Sequence, residues 1–160
     1  MNWDALGSIG EIVGAIAVVS TLAYLSVQIR QGTKAARIQT AHDTFHLSFE
    51  FLALINKEEN AEVWSRFRID GIESFTPKEQ LQISTIARAM FTTYDSHYIS
   101  YLEGTLSLEI HNSYRARLLG QLTVPSIRKW WMDNNELFTT SFRTYISDLL
   151  SEELTKVGNV

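Results

Sequence analysis

An uninterrupted apolar segment near the N-terminus constrains the fold of this chain more than any other feature. From Ile12 to Ile29, eighteen residues carry no charge. As an α-helix, which rises about 1.5 Å per residue, this segment would be roughly 27 Å long, close to the hydrocarbon thickness of a bilayer. The segment is therefore predicted to be a transmembrane helix. The alternative is a buried core helix of a soluble protein, which the polar side chains of Ser20 and Gln28 would suit.

Charged residues on the two sides of this segment predict its orientation. Residues 1–29 contain two acids and no base, whereas the next eight residues contain no acid and three bases, Arg30, Lys34 and Arg37. Basic residues next to a transmembrane helix remain on the cytoplasmic side. We therefore expect the N-terminus outside the cell and the rest of the chain, after the anchor, in the cytosol.

A cleaved signal peptide is a second interpretation of the same segment. The stretch Ala15-Ile16-Ala17 has the small-x-small form of a cleavage site. It lies in the middle of the apolar run, however, and no Lys or Arg precedes it, unlike the start of a signal peptide. An uncleaved anchor is therefore predicted.

Composition limits the remaining function classes. The chain has 160 residues, of which 45% are hydrophobic and 20% charged, as is typical of one globular domain. A net charge of -4 argues against nucleic acid as a partner, because phosphate binding needs a basic face. Without cysteine there are no disulfides or thiolate metal sites. Since no Gly-rich phosphate loop, nucleophile elbow or zinc-protease helix occurs, we expect neither an enzyme nor a cofactor.

Periodicity beyond the anchor predicts further helices. Apolar residues at steps of three and four indicate an amphipathic helix that follows the anchor almost without a break. Its apolar positions are Ile38, Ala41, Phe45, Phe49, Leu52 and Ile55. A shorter helix around Trp64 is expected to stop at Gly71. The segment Thr76-Pro77-Lys78-Glu79 has the form of a capping box that opens the next helix, which is expected to end at Gly104.

The helix that begins at Pro77 carries large apolar residues along one predicted side. They are Leu81, Ile86, Met90, Phe91, Tyr94, Tyr98 and Tyr101. Further helices are predicted over 107–119, 125–134 and 140–156, and no alternating strand pattern competes with them. The predicted fold class is all-α, with an N-terminal transmembrane anchor (residues 1–31) that continues into a cytosolic helical bundle (residues 32–160).

Two segments of the chain resemble a known group of proteins. The stretches "LGSIGEIVGAIAVVSTLAYLSVQIRQGT" and "VPSIRKWWMDNNELFTTSFRTYISDLL" are similar to the anchor and the closing segment of an uncharacterised family of small bacterial inner-membrane proteins. The resemblance implies one N-terminal transmembrane helix, a helical cytosolic domain and a location in the bacterial inner membrane. It implies no catalytic residue.

One face of the anchor consists of small and polar residues. At a repeat of about 3.5 residues this stripe contains Gly7, Gly10, Gly14, Ala17, Thr21, Tyr24 and Gln28. Because small residues let helix backbones approach closely in lipid, the stripe is predicted to pack against other copies in a homo-oligomer. Glu11 lies beside it. We expect this carboxylate either at the outer interface, near water and the helix N-terminus, or in a ring at the mouth of a pore.

Two groups of histidines and tyrosines carry candidate chemistry. His42 and His46 are one helical turn apart, so they form a candidate metal pair that would need ligands from elsewhere in the bundle. A solvated pair is the alternative. Three tyrosines, Tyr94, Tyr98 and Tyr101, flank His97, and this aromatic stripe lines either a ligand pocket or simply the core.

The segment of Arg128, Lys129, Trp130 and Trp131 combines two bases with two tryptophans. This composition is typical of an interfacial anchor that rests on an anionic leaflet. The alternative, which we favour, is that the tryptophans pack into the bundle while the two basic side chains face water.

Three function classes remain open. The first is a membrane protein that self-assembles through its anchor and cytosolic helices, with a pore as one form of the assembly. The second is an anchored interaction module that recruits a protein partner. The third, which we favour least, is a metal-dependent enzyme that uses His42 and His46.

Overall fold

The chain is all-α, as predicted. In the computed structural model, the backbone is described for residues 3–157 and the side chains for residues 10–152. This part of the chain contains six α-helices, two short 3-10 helices and no strand. The α-helices are α1 (Trp3–Ile55), α2 (Glu58–Asp70), α3 (Pro77–Leu102), α4 (Leu108–Leu122), α5 (Pro125–Asn134) and α6 (Thr140–Val157), and the 3-10 helices are Ile72–Ser74 and Asn135–Leu137.

Helix α1 belongs to two compact units. The helical segment up to Gln39 forms the first unit, and the residues from Thr40 onward form the second. The amphipathic segment predicted after the anchor is part of the same helix, because α1 passes through Gly32 without a break and ends at Ile55. The second unit therefore begins with the last four turns of α1 and contains all the other helices.

The turn between α2 and α3 forms as the sequence predicts. Gly71 ends α2 with a positive φ of 76°, a conformation that glycine adopts without strain. Thr76 caps α3: its hydroxyl accepts a hydrogen bond from the Glu79 backbone N–H at 3.4 Å, and its own N–H donates to the Glu79 carboxylate at 2.9 Å. The bond from the Thr76 backbone lowers the pKa of Glu79. Arg66 of α2 also binds this carboxylate, at 3.1 Å, so the capping box joins the two helices.

The core of the second unit is rich in aromatic side chains. Phe91 of α3 is fully buried and lies parallel to Trp130 of α5, with ring centroids 5.7 Å apart. Trp131 and Phe138 contact the same ring, at 4.8 and 5.9 Å. Aromatic side chains bury large areas, and such pairs add about 0.5–1.5 kcal/mol each beyond the burial itself. Phe91 therefore holds α3 against α5 and the segment that leads into α6.

A buried carboxylate fixes the start of α6. Asp95 of α3, which is 9% exposed, accepts hydrogen bonds from the backbone N–H of Thr139 at 3.0 Å and from its hydroxyl at 2.7 Å. The Thr139 hydroxyl in turn accepts from the backbone N–H of Phe142 at 3.3 Å. Thr139 thus caps α6 by satisfying the Phe142 N–H, and Asp95 has a structural role because it holds Thr139 in place.

The prediction that Leu81 lies on the same side of α3 as Ile86, Met90 and Phe91 is wrong. Leu81 is 70% exposed. The buried side of α3 begins at Ile83 and continues through Ile86, Ala87 and Met90, at steps of three and four. Since each residue turns a helix by about 100°, Leu81 points roughly 200° away from Ile83 and into solvent.

Candidate functional site

The first unit consists of a helical segment that is apolar on its outer surface. Within α1, the most apolar window of 18 residues has a mean hydropathy of 2.0, and none of it is buried. Among the described residues this is the one helix that is long and apolar enough to cross a membrane. Large aliphatic side chains such as Ile12, Val19 and Ile29 are 61 to 69% exposed. Exposed apolar surface of this extent is typical of a contact with lipid or protein.

Polar members of the small-residue stripe are hydrogen-bonded within the helix. The Thr21 hydroxyl donates to the Ala17 carbonyl oxygen at 2.8 Å, and the Gln28 amide donates to the Tyr24 hydroxyl at 3.0 Å. All four residues belong to the stripe. These internal bonds lower the cost of placing hydroxyl and amide groups in an apolar environment.

The glycines of the stripe leave open space on the helix surface. A Cβ atom added at Gly10 or Gly14 would meet no atom within 4 Å. Gly7 lies outside the residues whose side-chain environment is described. Glu11, next to Gly10, is exposed. The side chains of this segment leave a shallow surface at the glycines, which suits the close approach of a second helix.

Three basic side chains follow the apolar segment. Arg30, Lys34 and Arg37 are exposed, and none has an acidic partner within 4.0 Å in the part of the chain that the structure describes. Their charges are therefore available to an anionic surface. Each such charge contributes about 1 kcal/mol near an anionic leaflet.

Within the second unit, the last turns of α1 pack on the other helices with a face that matches the predicted apolar positions only in part. Phe45, Phe49 and Leu52 were expected in the core, but they are 44, 70 and 51% exposed. Ile38, in the first unit, is 62% exposed as well. The side that packs includes two of the predicted positions, Ala41 and Ile55, together with Thr44, Ser48, Phe51 and Leu54.

The reason for this rotation lies in the polar contacts of the packed side. Thr44 is 4% exposed, and its carbonyl oxygen lies 3.3 Å from Nε2 of His97. The Ser48 hydroxyl lies 3.1 Å from the Tyr114 hydroxyl. These polar groups of α3 and α4 would lose their partners if the phenylalanine side of α1 faced them, and unpaired buried polar groups are costly. Phe45, Phe49 and Leu52 consequently remain exposed.

The sequence-predicted His97 is a core residue in contact with α4. It is 2% exposed, and its ring lies against that of Tyr114, with centroids 3.6 Å apart. Burial lowers the pKa of His97 to about 4, so the ring is neutral at pH 7. The Thr44 carbonyl can only accept, so His97 carries its proton on Nε2. Its Nδ1 has no hydrogen-bond partner among the described residues.

A second aromatic group surrounds His111 of α4. Tyr101 stacks on the His111 ring at 3.8 Å, and the Tyr145 hydroxyl of α6 lies 3.4 Å from its Nε2. Tyr98 stacks on Tyr145 at 4.1 Å. Burial lowers the pKa of His111 and raises that of Tyr145 to about 12. The predicted tyrosine stripe therefore divides: Tyr94 belongs with His97, and the other two tyrosines join α3 to α4 and α6.

Among the described residues, the candidate metal pair receives no further ligands. His42 and His46 are both exposed, and Nδ1 of His46 lies 3.6 Å from the Glu50 carboxylate. In the described residues, no group of three or more histidine, aspartate or glutamate side chains could hold a metal ion. Asp95 and His111, which could have completed the site, are engaged with Thr139 and the tyrosines as described above.

The two tryptophans of the Arg128–Trp131 segment pack into the bundle. Trp130 and Trp131 are 4 and 3% exposed, so neither indole is free to enter a leaflet, and the interfacial reading is not supported. The side chain of Arg128 donates to the Leu122 carbonyl oxygen at 2.9 Å, and Lys129 binds Asp133 at 3.0 Å and Glu73 at 3.5 Å.

Sequence reasoning missed the side chains of α4 that face α1. Ser48 and Tyr114, together with the nearby Arg117, border a cavity between α1, α3 and α4. The signal available was the spacing of Tyr114, Arg117 and Gln121 along one side of α4.

Comparisons of the chain with protein-family models, with curated proteins and with solved structures found no match.

Proposed function

We propose that this chain is a single-pass protein of the bacterial inner membrane that self-assembles into a parallel homo-oligomer through α1. The observation that carries the proposal is the exposed apolar surface of α1, which no other described element covers. A helix of this composition is stable in lipid, where all its backbone groups are already paired. The proposed role is non-enzymatic and rests on assembly.

The register of the stripe supports self-association beyond the apolar segment. After Gln28, the same alternating steps of three and four lead through Gln31 and Ala35 to Ile38, His42, Phe45, Phe49 and Leu52. The four large apolar residues on this path are 44 to 70% exposed. A sustained repeat of 3.5 residues is typical of helices that supercoil around one another. Copies anchored in one membrane with the same orientation are parallel, so identical positions meet.

The charge distribution supports the orientation. Arg30, Lys34 and Arg37 have no acidic partners in the described residues, and they would lie at the anionic cytoplasmic leaflet. In the proposed orientation, the second unit lies in the cytosol and the N-terminal segment outside. The surface positions of these bases agree with a role at the leaflet rather than within the bundle.

Single-cysteine cross-linking in native membranes tests the proposal directly, because the natural chain has no cysteine. Variants with cysteine at Ala17, Tyr24 or Phe49 place the thiol on the stripe. Matched variants at Val19 or Leu47 place it on the opposite side of the helix. We expect disulfide-linked dimers from the stripe variants and at most traces from the others.

Two results would contradict the proposal. The first concerns membrane insertion, and the second concerns self-association. If the chain is released from membranes by alkaline carbonate, it does not span the bilayer. If cross-linking is equal on both sides of the helix, or absent from both, the stripe is not a self-association surface. A monomer that retains a different protein would then favour the anchored interaction module.

A further inference from the structure

A cavity of about 190 Å³ lies within the second unit, between the last turns of α1 and helices α3 and α4. Its apolar wall includes Phe51 and Leu52 of α1 and Met90 of α3. Tyr94 of α3 and Tyr114 of α4 add two aromatic rings, whose planes meet at 78° and whose centroids lie 6.4 Å apart. An apolar cavity of about 150 Å³ is large enough to hold benzene, so one six-membered ring fits this space.

Some of the polar groups that line the cavity have hydrogen-bond partners, and others do not. The Ser48 hydroxyl contacts the Thr44 carbonyl and the Tyr114 hydroxyl, and the Thr93 hydroxyl donates to the Ala89 carbonyl. Three lining groups have no hydrogen-bond partner in the described part of the chain: the Tyr94 hydroxyl, the Arg117 guanidinium and the amide nitrogen of Gln121.

The three groups without a partner can all donate hydrogen bonds at neutral pH. A guanidinium and an amide nitrogen have only N–H donors. Burial raises the pKa of Tyr94 to about 12, so its hydroxyl keeps its proton. The amide oxygen of Gln121 already receives a hydrogen bond from Arg68 at 2.8 Å. A ligand in this cavity therefore needs acceptor atoms at the end that faces α4.

The charge at this end is positive. Arg117 lies over the Tyr114 ring at 5.4 Å and has no acidic partner within 4.0 Å among the described residues. No aspartate or glutamate lines the cavity. A planar guanidinium matches a carboxylate in geometry and can bind both of its oxygens.

From this combination we propose that the cavity binds a small aromatic carboxylate. The ring would occupy the space among Phe51, Met90 and the two tyrosines, and the carboxylate would accept hydrogen bonds from Arg117 and Gln121. Leu52 belongs both to the cavity wall and to the continuation of the self-association stripe. The other lining residues lie off the stripe, and the binding test does not require that the chain oligomerise.

Fluorine NMR of 4-fluorobenzoate with the full chain in detergent measures this binding, against a sample of detergent alone. We expect saturable binding of one ligand per chain. The Arg117→Gln variant should weaken it at least tenfold. Arg88→Gln is the matched control, because Arg88 is also exposed but borders a different crevice, on the other side of α1. That variant should bind within a factor of two of the natural chain.

A second ligand and a second variant separate the roles of charge and space. The uncharged 4-fluorobenzamide should bind at least tenfold more weakly than the benzoate. Thr93→Trp fills the cavity and should abolish binding while the circular dichroism of the chain stays helical. Absence of saturable binding, or equal affinities for Arg117→Gln and the natural chain, would overturn the proposal, as would equal affinities for the two ligands.

Discussion

The Nε2 atom of His97 on α3 lies 3.3 Å from the backbone carbonyl oxygen of Thr44 on α1, across 53 positions of the sequence. This carbonyl accepts its helical hydrogen bond from Ser48, whose hydroxyl also approaches it at 3.2 Å. The contact therefore ties the last turns of α1 to the other helices through an imidazole that burial keeps neutral at pH 7.

Acidification should destabilise the second unit through His97. The pKa of this side chain is about 4 in the folded protein and 6.5 in the unfolded chain. The unfolded state therefore binds more protons between these values, and stability falls as the pH falls through this window. We expect a loss of about 2 kcal/mol between pH 7 and pH 5, measured by urea unfolding. Burial of His111 acts in the same direction.

The variant His97→Gln isolates this contribution. Glutamine keeps a donor for the Thr44 carbonyl but does not titrate in this range. It should reduce the pH dependence between pH 7 and pH 5, and an unchanged slope would show that His97 is not its source.

Substitution of Gly10 and Gly14 by leucine should break the assembly. Leucine favours helix more than glycine does, so a change in size cannot arise from loss of α1. The added side chains would instead hold the helix backbones apart. Size-exclusion chromatography with light scattering in detergent measures the result. Ala15→Leu, off the stripe, is the control and should leave the particle mass unchanged.

The exposed Phe49 offers a test in the second unit. Because its side chain is 70% exposed, Phe49→Glu should change the free energy of unfolding by less than about 0.5 kcal/mol. It should nevertheless reduce the fraction of oligomer, since equal charges would meet at one position of the stripe. Ile69→Glu on α2, where the side chain is 84% exposed and off the stripe, is the matched control. A full oligomer fraction in Phe49→Glu would limit the contact to the apolar segment.

The cap of α3 should be worth a measurable part of the stability. Thr76→Ala removes the hydroxyl that accepts the Glu79 N–H, and loss of such a cap typically costs about 1 kcal/mol. Thermal unfolding of the full chain in detergent provides the measurement. Thr85→Ala is the control, because the Thr85 hydroxyl is exposed and bonds only to the carbonyl of Leu81 within the same helix. Equal effects of the two substitutions would argue against the capping box.

Local signals in the sequence were sufficient to predict most of the bundle. The capping box at Thr76 and the glycines at 71 and 104 determine helix ends through short-range geometry, and these were placed correctly. Helix α5 was predicted over the residues that it occupies, because Pro125 at its first turn is a local start signal. Such features need no knowledge of which helices touch.

The face that each helix buries was harder to predict. Phe49 and Leu52 follow an apolar period, and apolar residues usually lie inside. The packed side of α1 is decided instead by Thr44 and Ser48, whose partners His97 and Tyr114 are more than 50 positions away. A pattern within one helix contains no information about such partners. The cavity beside Arg117 escaped prediction for the same reason, since it is formed by three helices.

Because the tryptophans of the second unit are buried, tryptophan fluorescence can report on its unfolding. Three of the four tryptophans, Trp64, Trp130 and Trp131, lie in its core. Their emission should be blue-shifted in the folded chain and should move to longer wavelength only when this core opens. With Trp3→Phe, these three buried indoles are the only ones left in the chain, so an emission spectrum in lipid or detergent reports the unfolding of the bundle.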